Sequence, residues 1–287
     1  MPIIEVENLT YRYGNGLSPE KAAIEDISLQ VEEGELLAVI GHTGSGKSTL
    51  IQHLNGLLKP TSGRVIVDGR DIWESKASVR QARFTVGLCF QYPEYQLFEE
   101  TVYKDIAFGP KNMGFDEEEI HKRVCRAAEY VGIGKELFEK SPFDLSGGQK
   151  RRAAIAGVMA MEPKVLILDE PIAGLDPLGR DTVLGLIKSY REATGKTVIL
   201  VSHSMEDVAK LATKILVLNK SRLAMFGTVE EVFSRGDELT GMGLNVPQVT
   251  RIFMRLRQAG LPVSSGIYTV EQGKNELLRL MNGGRSK

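Results

Sequence analysis

Residues 41–48 read Gly41-His42-Thr43-Gly44-Ser45-Gly46-Lys47-Ser48, and this stretch decides the fold. Gly41, Gly44 and Gly46 let the backbone curl until its N–H groups converge on one anion. Lys47 brings a positive charge to the β- and γ-phosphates of a nucleotide, and Ser48 brings a hydroxyl for Mg²⁺. His42, Thr43, Ser45 and the adjoining Thr49 belong to the same nucleotide-binding run. Upstream, residues 35–40 form a short apolar run that suits a strand buried on both faces. Downstream, 47–58 reads as a helix closed by Lys59-Pro60, its positive end turned toward the same anions. Strand, glycine loop and helix in that order speak against a chance Gly-rich turn.

The rest of the chain fits a parallel α/β sheet. Residues 3–9 and 27–31 alternate apolar and polar as half-buried strands do, and 65–67 and 85–90 read as further strands. From 101 to 161 the pattern is helical throughout, with an acidic helix start at 116–119. Strands at 165–168, 197–202 and 215–218 then alternate with helices at 178–192 and 205–211. The Gly-rich run 236–243 reads as a linker. Residues 247–259 read as a helix with Asn245 as a possible cap, and Thr269 with Gln272 as a capping box before a last helix. The expected architecture is thus a cassette over 1–235, its helical subdomain at about 98–161, and a C-terminal accessory extension over 236–287. A purely structural cap is the plainer reading of that extension.

Composition narrows the setting. The chain has 287 residues, 42% hydrophobic and 25% charged, with 36 basic against 37 acidic side chains. That balance carries no electrostatic footprint for nucleic acid. The two cysteines, Cys89 and Cys125, stand apart from each other and from any Cys/His cluster, as free thiols in a reducing compartment do. The N-terminal residues lack a signal-peptide pattern, and no apolar run approaches the ~20 residues that span a bilayer. A cytosolic chain that meets a membrane only through a partner is expected.

Two further motifs carry chemistry. Val165-Leu166-Ile167-Leu168-Asp169-Glu170 is an apolar strand ending in two carboxylates, which places them at the sheet edge where open α/β sheets bind ligands. Asp169 is suited to hold Mg²⁺ and Glu170 to orient or deprotonate water. Alone, two acids after a strand are also what a capped helix start looks like. Leu145-Ser146-Gly147-Gly148-Gln149, followed by Lys150-Arg151-Arg152, makes a second helix N-terminus fit for an anion, or an ordinary N-cap.

Together with Gln91, Ala173-Gly174-Leu175-Asp176 and His203, these motifs stand in the order and spacing of ABC-type ATPase cassettes, and residues 3–235 resemble that family. The resemblance implies a P-loop NTPase fold: a RecA-like parallel sheet core, an antiparallel β part, a helical insert and a small C-terminal helical extension. It also implies a sandwich dimer, in which Ser146, Gly147, Gly148 and Gln149 of one subunit close over the phosphate loop of the other. By position, Tyr13 would stack on adenine, with Tyr11 as its competitor and core packing open for either ring. Gln91 would help ligate Mg²⁺, His203 would contact the γ-phosphate, and Asp176 would cross the dimer interface. Ile172 departs from the family's Thr or Ser, which removes a local hydrogen bond but neither the metal ligand nor the base.

The interval between phosphate loop and signature leaves no room for a long coiled coil, and zinc cysteines are lacking, so a transport ATPase is favoured over nucleic-acid maintenance relatives. Phe90-Gln91-Tyr92-Pro93-Glu94-Tyr95-Gln96-Leu97-Phe98, with Ala107-Phe108-Gly109-Pro110, resembles the ATPases of energy-coupling factor importers of vitamins or transition-metal ions. Residues 151–157 and 174–180 resemble the second of the two ATPase paralogues of that type. The implied partners are a paralogous ATPase, a membrane-embedded coupling (T) subunit and a substrate-binding (S) subunit at the cytoplasmic face of the membrane. Another ABC transporter type, or a soluble ABC ATPase without a transport role, is the alternative. Tyr92, Tyr95 and Phe98 would grip a partner's coupling helix or fill a core.

Overall fold

The chain begins with β1 (Pro2–Tyr11), β2 (Ile24–Glu32), β3 (Leu36–Gly41), α1 (Lys47–Leu54), β4 (Ser62–Val67), β5 (Arg70–Asp71), α2 (Lys76–Thr85) and β6 (Val86–Cys89). A helical stretch follows: α3 (Val102–Met113), α4 (Glu117–Tyr130) and α5 (Gly147–Met159). Then come β7 (Val165–Asp169), α6 (Pro177–Thr194), β8 (Thr197–Val201), α7 (Met205–Leu211), β9 (Lys214–Asn219) and β10 (Arg222–Thr228). The chain closes with α8 (Val229–Ser234), α9 (Gly236–Gly241), α10 (Gln248–Gln258) and α11 (Val270–Gly283). This computed structural model describes residues 2–14 and 22–283. The sequence boundaries at 1–235 and 236–287 also take in residues 1, 15–21 and 284–287, which lie outside the described residues.

Two sheets result. One is antiparallel, in the order β2-β1-β4-β5; the other runs β10-β9-β3-β8-β7-β6, parallel from β9 to β6 with β10 antiparallel on its edge. The parallel strands read as unbroken apolar runs because both of their faces are covered. Leu37 and Val39 of β3 and Ile167 of β7 join Leu50 and Ile51 of α1 between the two sheets. On the opposite face, Leu166 and Leu168 meet Ile106 of α3, Val124 of α4 and Ile187 of α6. Ala38 and Ile40 face Val208 of α7 and Phe233 of α8. An α/β sheet with an antiparallel part and a helical insert is therefore the observed architecture, as the sequence patterns and motif order imply.

Local expectations fail where contacts from far along the chain intervene. The helix expected over 47–58 stops at Leu54: the Asn55 side chain donates to the Val86 carbonyl, and Gly56 takes φ +69. The strand expected at 85–90 starts at Val86, because Thr85 completes α2, which Ser75 caps by accepting from the Ser78 amide. Strand β10 carries no hairpin signal in the sequence, because its turn runs through Lys220 and Ser221, at φ 48 and 68, without the usual Asn-Gly pair. Residues 236–243 are no linker. They hold α9, whose Leu239 is fully buried, and a Cβ at Gly236 would meet Met254 Sδ at 2.8 Å. Asn245 does not cap α10; Pro247 stands there, and Asn245 accepts from Arg251. Thr269 and Gln272 do exchange capping-box hydrogen bonds, 3.2 and 3.0 Å, at the start of α11.

Burial separates the two thiols. Cys89 is buried in the core, which pushes its thiol up to about 12, whereas Cys125 on α4 is partly exposed beside His121 Nε2 at 3.4 Å. A maleimide at neutral pH should label Cys125 and leave Cys89 untouched until the protein unfolds. Equal labelling of both in native protein, read by peptide mass spectrometry, would contradict this packing.

Candidate active site

Parallel pairing brings the carboxyl ends of β3, β8, β7 and β6 to one edge of the sheet. From that edge emerge, respectively, the phosphate loop, His203, the Asp169-Glu170 pair and Gln91. Residues scattered over most of the chain thereby meet around one cavity of about 360 Å³, lined by Thr43, Gly44, Gly46, Lys47, Ser48, Thr49, Gln91, Glu170 and His203.

The loop holds its curve because no other residue fits. Gly41 has φ +154, and a Cβ there would lie 2.4 Å from the Leu218 carbonyl oxygen; at Gly46, φ +104, it would lie 2.6 Å from that of Ala23. The Lys47 ammonium turns inward, donating to the carbonyls of Gly41 at 2.7 Å and His42 at 2.9 Å. Burial lowers its pKa, while the charges of Glu170 and Asp169 pull the other way. Ser48 Oγ donates to Asp169 Oδ2 at 3.3 Å. Burial raises the Asp169 carboxyl above its usual range, and the Ser48 hydrogen bond partly offsets this.

Glu170 takes φ 49, a left-handed conformation that costs a non-glycine residue of the order of 1–3 kcal/mol. Its amide still bonds the Val201 carbonyl at 3.0 Å, so the ladder holds it while the side chain leaves the strand register. Its carboxylate lies 2.6 Å from His203 Nε2 and accepts from Gln91 Nε2 at 3.3 Å. Three polar side chains just past the ends of β6, β7 and β8 therefore converge. Ile172, just beyond, packs its side chain against the helical-insert core instead of offering a hydroxyl.

Not every sequence-predicted residue joins this cavity. Tyr13 is 51% exposed and its hydroxyl shares a hydrogen bond with Thr49 Oγ1, 3.1 Å. Tyr11 is partly buried and makes edge contacts to Tyr13 and His53, ring centroids 4.9 and 4.8 Å apart. His42 turns its ring away and donates from Nε2 to the Met242 carbonyl at 2.7 Å, joining the phosphate loop to the C-terminal segment. Buried His53 serves α1, donating from Nδ1 to the Thr49 carbonyl. Ser146 and Gln149 form a capping box at the head of α5, with Ser146 and Gly147 at the surface. Asp176 caps α6 by accepting from the Gly179 amide at 2.7 Å. Neither the signature residues nor Asp176 line the cavity of their own chain.

The ABC transporter family model matches residues 24–173. The energy-coupling factor transporter ATP-binding protein EcfA2 of Clostridium tetani is 57% identical over 280 residues, 97% of each chain. That of Clostridium acetobutylicum is 55% identical over 286 residues, 99% of this chain and all of the other. The chain belongs to the ABC transporter family, among its energy-coupling factor ATP-binding proteins. The structure of cbiO1 from Clostridium perfringens, described as part of the ABC transporter complex cbiONQ, superposes with a TM-score of 0.74 at 39% identity, covering 90% of this chain and 97% of that one. A dimeric post-hydrolysis state of the ATP-binding cassette MJ0796, bound to ADP and Pi, matches 78% of this chain and 98% of its own, at TM-score 0.69 and 26% identity. As a member of this family the chain is an ATP-binding and ATP-hydrolysing cassette that serves a transporter. Glu94, within the 90–98 stretch, and Arg151, behind the signature, form an ion pair beside this site with Arg151 buried and Glu94 partly so, a pairing that no local sequence signal marks.

Proposed function

We propose that this cassette supplies half of each of two shared ATP sites in an energy-coupling factor importer. The observation that carries this reading is the split within the chain: the phosphate loop, Gln91, Glu170 and His203 share one cavity, whereas the signature residues and Asp176 face outward. An outward helix N-terminus with exposed Ser146 and Gly147 suits the nucleotide of a second cassette, which in this type is a paralogue. Tyr13 is the adenine-stacking ring, since it is exposed beside Thr49 whereas Tyr11 is partly buried against His53.

The donor set fits Mg²⁺, which prefers oxygen ligands and is commonly shared between one or two carboxylates, a nucleotide and water. Ser48 Oγ and the Asp169 carboxylate already touch, and the Gln91 amide reaches the same cavity. Bound there, the ion would neutralise phosphate charge. Lys47 leaves the loop carbonyls for the phosphates, Glu170 accepts the proton of the attacking water, and His203 holds the γ-phosphate side.

The helical subdomain at about 98–161 is the face that engages the membrane partner. An apolar groove of about 280 Å³ lies there, lined in part by Phe84, Leu97, Phe98, Phe108, Val158 and Met161. Tyr95 is 84% exposed and Phe98 59%, which speaks against core packing and for gripping the coupling helix of a T subunit. Exposed Ile252, Leu277, Leu278 and Met281 suit a dimer contact by the extension over 236–287. Among the described residues no helix is long and apolar enough to cross a membrane. Attachment at the cytoplasmic face therefore depends on the T subunit and its S subunit, which selects the vitamin or metal ion. No nucleic acid partner is involved. Affinity purification from membranes should recover a polytopic membrane protein and a second ATPase. Recovery of a soluble chain alone would favour a cassette without a transport role.

A further inference from the structure

Arg151 sits on α5, the helix headed by the signature residues, with only 2% of its surface exposed. Its Nε and Nη2 donate to the two oxygens of Glu94 at 2.9 and 2.5 Å, a two-pronged pair. Its Nη1 donates to the carbonyls of Pro171 at 3.2 Å and Ala173 at 2.7 Å. The guanidinium also lies 5.8 Å from the Tyr92 ring. Burial would raise the Glu94 carboxyl, but its bonds to Arg151 hold it below the usual range.

These bonds join three segments that the nucleotide chemistry uses. Glu94 belongs to a 3₁₀ turn, Pro93–Gln96, just past Gln91 and Tyr92. Pro171 and Ala173 belong to the turn that leaves Glu170 and leads to Asp176. The third segment is α5 itself, which carries the signature at its head. Only a planar fork with five donors meets a carboxylate on one side and two carbonyls on the other; a lysine ammonium cannot. A buried ion pair is in itself weak support for stability, because desolvating two charges offsets their attraction. Here the carbonyl partners follow the water-activating carboxylate directly, and the carboxylate partner follows Gln91.

We propose that Arg151 is a positioning residue for ATP hydrolysis. It locks the Gln91 loop, the Glu170 turn and the signature helix into one body. This inference rests on the nucleotide site described above. Neither Arg151 nor Glu94 lines the phosphate-loop cavity, so ATP capture does not depend on them.

The test uses the purified complex of this chain with its partner ATPase and membrane subunits. Arg151→Met, Arg151→Lys and Glu94→Gln are compared with wild type for kcat and for KM with ATP, alongside thermal unfolding midpoints. Arg151→Met should lower kcat roughly 10- to 100-fold, as loss of alignment at a reacting centre does, with KM for ATP within about twofold. Arg151→Lys should recover little of the loss. Glu94→Gln should fall between wild type and Arg151→Met, and the double variant should be no slower than Arg151→Met alone. A kcat for the folded complex equal to wild type in Arg151→Lys and Glu94→Gln would overturn the proposal, whatever the fate of the methionine variant. A raised KM with unchanged kcat would overturn it too, placing Arg151 in nucleotide binding. Glu170→Gln run in parallel separates the two readings: if that variant also turns over normally, the site assignment fails; if it is inactive while the Arg151 variants are normal, only this inference fails.

Discussion

Glu170→Gln should stop ATP turnover while ATP-driven pairing of the cassettes persists. Glutamine keeps the shape of the side chain and one acceptor oxygen, so the φ 49 backbone and the ladder bond to Val201 have no reason to change. It loses the ability to take a proton from water. General-base catalysis contributes about 10²- to 10⁴-fold, which sets the expected fall in kcat. The phosphate loop is untouched, so KM for ATP should stay within about threefold of wild type. Single-turnover phosphate release and size-exclusion chromatography with and without ATP check both halves. His203 Nε2 lies 2.6 Å from Glu170, so it is the next candidate to move that proton. Turnover of Glu170→Gln within threefold of wild type would remove Glu170 from the role, and His203→Ala would then be the decisive variant.

Lys47→Ala should abolish nucleotide capture itself. Lys47 is nearly buried, and the carbonyls of Gly41 and His42 hold its ammonium in the loop. Removing it takes away the cation that faces Asp169 and Glu170, whose charges then bear directly on incoming phosphates. Hydrogen bonds to charged groups are worth about 1.5–3 kcal/mol each, so losing two should raise Kd for ATP by roughly 10²- to 10⁴-fold. Isothermal titration with ATP and Mg²⁺ measures this, and a Kd within about threefold of wild type would refute the phosphate role. The two variants thus fail differently: Glu170→Gln binds without turning over, and Lys47→Ala does not bind.

The phosphate loop, the Asp169-Glu170 strand end and the signature were legible because each is a contiguous stretch. Its chemistry depends on local backbone form: glycines for a curled loop, an apolar run for a buried strand, and a serine to cap a helix. The same locality explains the errors. Residues 236–243 look like a linker by composition, yet Leu239 is buried beneath α8 and Gly236 is small because Met254 presses on it. The turn at Lys220 and Ser221 holds two left-handed residues without glycine, so the second strand of that hairpin carried no signal.

What the sequence alone determined was a glycine loop at 41–48 suited to phosphate and a buried strand that ends in two acids. What only the tertiary structure decided was who meets whom. Gln91 and Glu170, separated by 79 positions, touch because β6 and β7 pair in parallel. Tyr13 is the more exposed of the two neighbouring tyrosines, and the signature residues lie outside the cavity of their own chain. Arg151 reads as one of three adjacent basic residues until the fold buries it against Glu94 and the turn beyond Glu170. Periodicity and composition report a residue's immediate neighbours, whereas burial, pairing and charge partnership arise from segments that only folding brings together.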